Sequence, residues 1–200
     1  LAANSGNLVK TGYIFSGWNT VADGSGTDYA EGSSNTLNAP LALYAKWTAG
    51  TFTVGFDAQE GSTPEPIFKT VTYGQEYGEL ATTHRLGFEF GGWWTGINGT
   101  GDHILSSTKV SIPSNHTLYA RWRPKYLVTF DSMGGISPDP ASKVVVYGDS
   151  YGELPVTTKE GWVFDGWWTD SNDTGTLITE STIFTSNTNC TVYAKWKFAV

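Results

Sequence analysis

The chain is poor in several residue types, and each shortage excludes something. It has one cysteine, Cys190, in 200 residues, so no internal disulfide can staple it and its modules stand on packing alone. A lone thiol leaves the compartment open, and Cys190 reads most simply as a small residue filling a half-buried strand position. Basic residues are few: 12 Lys and Arg face 19 Asp and Glu, for a formal net charge of −7. With a sequence pI near 4.8, a general phosphate-backbone binder is excluded, since it would need a basic stripe. The balance fits a soluble, self-repelling surface protein that binds no nucleic acid. No apolar run approaches the roughly 18 residues of a membrane span, so no direct membrane insertion is expected of this stretch. No window carries a helical i, i+3, i+4, i+7 stripe, so helix should be scarce. The best place for a short turn of it is Tyr-Gly-x-x-Tyr-Gly-x-Leu, from Tyr73 and Tyr147, or the loop that follows. The chain starts at Leu1, without a signal-peptide pattern, and both ends read as cut from a longer protein.

What is present is aromatic and repetitive. Aromatics make up 14% of the chain, with nine Trp, and they bury the most area per residue. Gly17-Trp18 leads to Tyr44-Ala45-Lys46-Trp47, Gly92-Trp93 to Tyr119-Ala120-Arg121-Trp122, and Gly166-Trp167 to Tyr193-Ala194-Lys195-Trp196. The copies stand 75 and then 74 residues apart, the mark of a tandem repeat. Each full copy is near the lower size limit for a module with its own core. The expected boundaries are 1–48 for a partial first copy, 51–123 for the second and 126–198 for the third.

Within a copy the pattern is that of strands and hairpins. Phe52, Val54 and Phe56 alternate inward along an opening strand, and Val128-Thr129-Phe130-Asp131 repeats it. A second strand follows at 68–73 and at 144–147. The closing strand puts Leu43, Ala45 and Trp47 on one face and Tyr44 and Lys46 on the other. Copy one has no opening strands before Leu8; either they lie upstream of Leu1 or this copy is a shorter variant. The links Thr48–Thr51 and Arg123–Lys125 are too short to act as flexible tethers. Strict alternation along Phe-x-Gly-Trp would put Trp18, Trp93 and Trp167 opposite the aromatic core face. Either they cover a second surface, or a bulge at the preceding Gly returns them to the core; the bulge is favoured.

Val-Thr-Phe-Asp-Ser-Met-Gly-Gly at 128–135, Tyr-Gly-Glu-Leu-Pro at 151–155, Gly-Trp-Val-Phe-Asp-Gly-Trp-Trp at 161–168 and Val-Tyr-Ala-Lys-Trp at 192–196 stand in one order. That order resembles the internalin B-type repeat, also called the Listeria–Bacteroides repeat. Copy two resembles it through 87–94 and 117–122, and copy one through 12–20, 23–27 and 43–47. The resemblance implies a mainly β chain of tandem small β-grasp-like modules with little helix, arranged as beads in an extended array. It also implies an extracellular bacterial protein, cell-surface or secreted. The role implied is that of spacer or stalk, with a contribution to adhesion or host interaction and no catalysis. Copy two departs from the pattern at Asp57-Ala58-Gln59-Glu60-Gly61, where the family favours a Gly-Gly turn.

Candidate chemistry is thin. His84, His103 and His116 share no repeat position and have no metal-ligand spacing; copy three has Thr158, Leu177 and Cys190 there. Asp57, Asp131, Glu79 and Glu153 recur with the fold, which suits turn capping better than paired-acid hydrolysis. The loops Asp23–Asp28 and Asp170–Gly175 are oxygen-rich, but Ser181 stands where a calcium loop needs a bidentate Glu, and hairpin turns explain them. Leu154-Pro155-Val156-Thr157-Thr158 lacks the Gly and the hydrophobic tail of a sorting signal. Asn-x-Thr occurs at Asn98, Asn115, Asn172 and Asn189, and in a bacterial protein carries no glycan as a rule. No catalytic, metal or cofactor residue is therefore expected. The candidate binding residues are Trp94, Trp168, Tyr119, Tyr193, Arg121 and Lys195, aromatic surface beside polar groups that suits a host or neighbouring-cell protein or glycan. The alternative for these rings is packing on a neighbouring strand, loop or repeat.

Overall fold

The computed structural model describes residues 4, 6–34, 40–172 and 174–199. Twelve strands and one short 3-10 turn, Ile97–Gly99, make up the regular structure among these residues. The chain is mainly β, as the alternation along its strands predicts. It divides into two compact units: Leu1–Thr83 with Gly92–Arg121, and His84–Gly91 with Trp122–Val200.

The second unit shows the plan most plainly. Residues 126–131 of β8 (His116–Asp131) pair antiparallel with β9 (Ser142–Val146), through Tyr126↔Val145 and Val128↔Lys143. On its other side β8 pairs parallel with β12 (Cys190–Phe198), through Cys190↔Val128 and Val192↔Phe130. β12 then pairs antiparallel with β10 (Trp162–Trp168), which pairs with β11 (Leu177–Ile178). The opening and closing strands of the copy thus lie side by side at the middle of a mixed sheet. Val128, Phe130, Val192 and Ala194 alternate onto its inner face and are buried with Val145, Trp167 and Phe184.

The first unit repeats this plan. β4 (Thr51–Asp57) pairs antiparallel with β5 (Phe68–Thr72) and parallel with β8, through Val54↔His116 and Phe56↔Leu118. Trp93 and Trp94 of β6 (Phe88–Trp94) pair with Ile104 and His103 of β7 (His103–Ile104). Val54, Phe56, Val71, Tyr77, Trp93, Ile104, Leu118 and Ala120 are all buried, and 74 residues later so are Val128, Phe130, Val145, Tyr151, Trp167, Ile178, Val192 and Ala194. The remainder of the unit is a three-stranded sheet in the order β2-β1-β3, from β1 (Tyr13–Asn19), β2 (Asp28–Tyr29) and β3 (Tyr44–Ala49).

Among the described residues no helix covers the inner face. Two irregular segments do so, and they satisfy each other's backbone groups. Gly74 N–H donates to Val110 O at 2.9 Å, Val110 N–H to Gln75 O at 2.8 Å, and Tyr77 N–H to Thr108 O at 2.9 Å. Gly148, Phe184 and Tyr151 make the same bonds in the second unit. The ammonium of Lys69 pins the segment by donating to Tyr77 O and Glu79 O, each at 2.6 Å, and Lys143 does so for Tyr151 O and Glu153 O. This corrects the expected position of helix. The Tyr-Gly segments turn their N–H groups outward to a partner strand-like segment, and Gly74 and Gly78 sit at φ +77° and +67°, outside the α region. Among the described residues the helical turn forms instead in a hairpin loop, at Ile97–Gly99.

The bulge expected at Phe-x-Gly-Trp is present. In β1, Phe15 faces Trp47 and Gly17 faces Lys46, so the register slips by one residue; β10 slips between Phe164 and Trp167. Gly17, Gly92 and Gly166 have φ of +119°, +87° and +103°. A Cβ on Gly17 would lie 2.6 Å from Tyr29 O, so conformation and space both require glycine. The residue after the glycine turns inward: Trp93 and Trp167 are each 1% exposed. Their indole N–H groups donate to Ala81 O and Pro155 O, each at 2.7 Å.

Candidate functional site

The candidate binding residues fall on the outer face, just past the bulge. Trp168 pairs with Tyr193, and the Lys195 ammonium lies 4.1 Å over the Trp168 ring. The Trp168 indole N–H donates weakly to Asp165 O at 3.4 Å. In copy two Trp94 stacks on His103 with centroids 4.8 Å apart and planes 17° apart. The Arg121 guanidinium stands 5.3 Å from the same ring. Trp94, Trp168, Tyr119 and Tyr193 are all half-buried. The structure therefore gathers Trp168, Tyr193 and Lys195 in one patch and Trp94 with Arg121 in another. In each patch a basic side chain from the neighbouring strand lies over the indole, a cation–π contact worth about 0.5–1 kcal/mol at such exposure.

Copy one builds this position differently. Asn19 stands in place of the second Trp and is 1% exposed. Its amide donates to Gly24 O at 3.1 Å, Gly26 O at 3.2 Å and Asp28 Oδ1 at 2.7 Å. Its carbonyl oxygen accepts from Val21 N–H at 2.8 Å and Gly26 N–H at 3.1 Å. The oxygen-rich loop is thus organised around a side-chain amide. The Lys46 ammonium, at the Arg121 and Lys195 position, pairs with Asp28. That bond, then the one from Asn19, holds the Asp28 carboxyl below its usual range.

The remaining candidates resolve into architecture. Asp57 Oδ1 accepts from Gln59 N–H and Asp131 Oδ1 from Met133 N–H, each at 2.9 Å, capping the turn after each opening strand. Asn115 Oδ1 accepts from Thr53 N–H and Asn189 Oδ1 from Leu127 N–H, each at 2.9 Å. Two of the Asn-x-Thr matches are therefore clamps that hold the opening strand beside the closing one. Sequence reasoning missed these clamps, the Lys69 and Lys143 pins, and the Asn19 hub. Exact recurrence at the 74-residue spacing was the available signal for the first two.

His116 and Cys190 occupy one repeat position, each beside the buried Tyr of the covering segment. His116 Nδ1–H donates to Ser114 O at 2.9 Å, which leaves Nε2 to accept from the Tyr77 hydroxyl at 2.8 Å. In copy three the Cys190 thiol replaces the ring. Burial first, then Cys190, pushes the Tyr151 phenol up to about 12. Burial also raises the Cys190 thiol, against the Tyr151 hydrogen bond. A cavity of about 410 Å3 opens beside this pair, lined by Thr169, Thr176, Ile178, Thr182 and Thr191 among others. A second cleft of about 310 Å3 in copy one is lined by Lys10, Asn19, Asp23, Ala45 and Trp47 among others. No group of three or more His, Cys, Asp or Glu that could hold a metal occurs among the described residues.

A tandem array of aromatic-cored β modules, with its polar side chains spent on turns and clamps, defines a repeat protein. The chain belongs to the Listeria-Bacteroides repeat domain family, which matches residues 1–46, 52–121 and 126–195. It is similar to a "Putative Gly-rich membrane protein" of Evansella cellulosilytica, 35% identical over 98% of this chain and 24% of that one. A "Putative membrane protein" of the same bacterium is 31% identical over 78% of this chain and 23% of its own length. The chain thus spans about a quarter of the length of these relatives. No solved structure matches. No helix among the described residues is long and apolar enough to cross a membrane.

Proposed function

We propose that this chain is a non-catalytic repeat region of a bacterial cell-surface or secreted protein, of internalin B type. It serves as a spacer or stalk and contributes to adhesion or partner binding. One observation supports this above the rest. Copies two and three share their packing and their backbone clamps, from Val54/Val128 to Asn115/Asn189, while their chemistry-bearing side chains change, as in His116 and Cys190. Selection on a spacer acts on the module, whereas selection on a catalyst acts on one constellation. The paired opening and closing strands support a β-grasp-like module, and the short links between copies support beads in an extended array. The relatives' membrane-protein names support a place at the cell surface.

Small-angle scattering tests the spacer: its maximum dimension should grow in proportion to the number of copies, and a compact particle would overturn the reading. A second reading, a carbohydrate- or receptor-binding module, draws on the recurring outer patch of Trp94 with Arg121 and Trp168 with Lys195. A glycan-array signal abolished by Trp168→Ala and Trp94→Ala would favour it.

A further inference from the structure

Copy one has a side that the other two copies cover. β8 starts at His116 and β12 at Cys190, and the corresponding residue of copy one is Leu41; yet β3 starts three residues later, at Tyr44. In copies two and three those first residues pair parallel with the opening strand, through His116↔Val54 and Cys190↔Val128. Among the described residues β3 is a border strand, paired with β1 alone. The inner-face positions respond. Leu118, Val192, Ala120 and Ala194 are all under 5% exposed, whereas Leu43 and Ala45 are only half-buried and Leu41 is 39% exposed.

We propose that residues 41–46, the start of β3 and the three residues before it, form a strand-acceptor site, with Leu43 and Ala45 as its half-buried apolar residues. Its occupant is an opening hairpin of this same repeat type, supplied in the same polypeptide as it is in copies two and three. The hairpin's first strand lies parallel to β3, its Val54 equivalent opposite Leu41 and its Phe56 equivalent opposite Leu43. This register follows from Val54↔His116 and Phe56↔Leu118. The strand carries backbone N–H and C=O groups to a border that pairs with no strand among the described residues, and an aromatic ring to the half-buried apolar residues. One bond present elsewhere is absent. Pro40 stands at the position of Asn115 and Asn189, so the clamp on the opening strand is missing and copy one holds its hairpin more loosely.

The test joins a second copy of residues 51–82 directly ahead of Leu8, which keeps the repeat spacing, and compares it with the 200-residue chain by amide hydrogen exchange. Amides of residues 41–46 should exchange at least about tenfold more slowly in the extended chain. Val54→Asp with Phe56→Asp in the added copy alone should remove that protection, and Pro40→Asn should increase it. Unchanged exchange at 41–46 overturns the proposal, as does equal protection by the Asp-bearing hairpin. Slow exchange in the original chain together with a concentration-dependent dimer also overturns it, because a second molecule would then cover the border.

Discussion

Copy one and its two successors share the positive-φ glycine ahead of the Trp but not the burial that follows it. Gly17, Gly92 and Gly166 all take positive φ, yet Trp93 and Trp167 are each 1% exposed while Trp18 is half-buried. The difference separates what a short stretch encodes from what it must borrow. A hairpin and its bulge need only residues within the motif. A sealed core needs Phe56 or Phe130, whose rings meet Trp93 and Trp167 at 4.8 and 4.9 Å from an opening strand well upstream.

The sharpest way to break this comparison is to remove the tryptophans. Trp93→Ala and Trp167→Ala should each destabilise their unit by about 3–5 kcal/mol, the usual cost of a buried Trp truncation. Trp18→Ala should cost less than half as much. Urea unfolding of the three variants checks this, and equal losses would erase the distinction between the copies. Next in size is Asn19→Ala, which strands the N–H groups of Val21 and Gly26 and should cost about 1–3 kcal/mol, confined to copy one. Faster amide exchange at 20–28, with none at 95–102, is the expected record.

Copies two and three differ at the tyrosine pair. Tyr151 is held neutral by burial and by Cys190, and its folded pKa of about 12 lies above the ordinary phenol value of 10.0. A raised folded pKa contributes stability that is complete below the unfolded pKa and is lost as pH climbs toward the folded one. Stability should therefore fall across that interval, and Tyr151→Phe should flatten the loss. Chemical unfolding followed at stepped alkaline pH reads it. The smallest effect lies in the turn after the opening strand. Glu60 has φ +70°, where copy three has Gly134 at +83°. Glu60→Gly should stabilise the first unit by about 1 kcal/mol, the relief of a left-handed residue. Met133, at φ +50°, precedes that glycine as Gln59 precedes Glu60, so Gly134→Ala is the reciprocal test.

The strands and the repeat were legible because alternation and spacing are local or periodic signals. The bulge was legible from parity: the aromatic face and the invariant Trp disagree by one residue. The covering layer was not legible, since its two segments have no periodicity and are ordered only by bonds to each other, such as Tyr77 N–H to Thr108 O. The turn-capping role of Asp57 and Asp131 was legible because each acid ends a strand. The surroundings of Trp94 and Trp168 were not. Arg121 and Lys195 come from another strand, in a register that the bulge itself shifts. Asn115 and Asn189 hid behind a modification motif that shares their first and third residues.

The extra residue ahead of Trp18 and of Trp167 works like a frameshift within a strand. Upstream of it one set of alternate positions reads as interior, and downstream the other set does. The invariant Trp is thereby brought into frame with the core, and the residue after it is put out of frame. That next position lies off the aromatic core, and each copy has filled it to suit its own hairpin: with a buried amide hub at Asn19 and with an indole under a cation at Trp94 and Trp168. Variation among the copies is thus channelled to a site where the fold tolerates it.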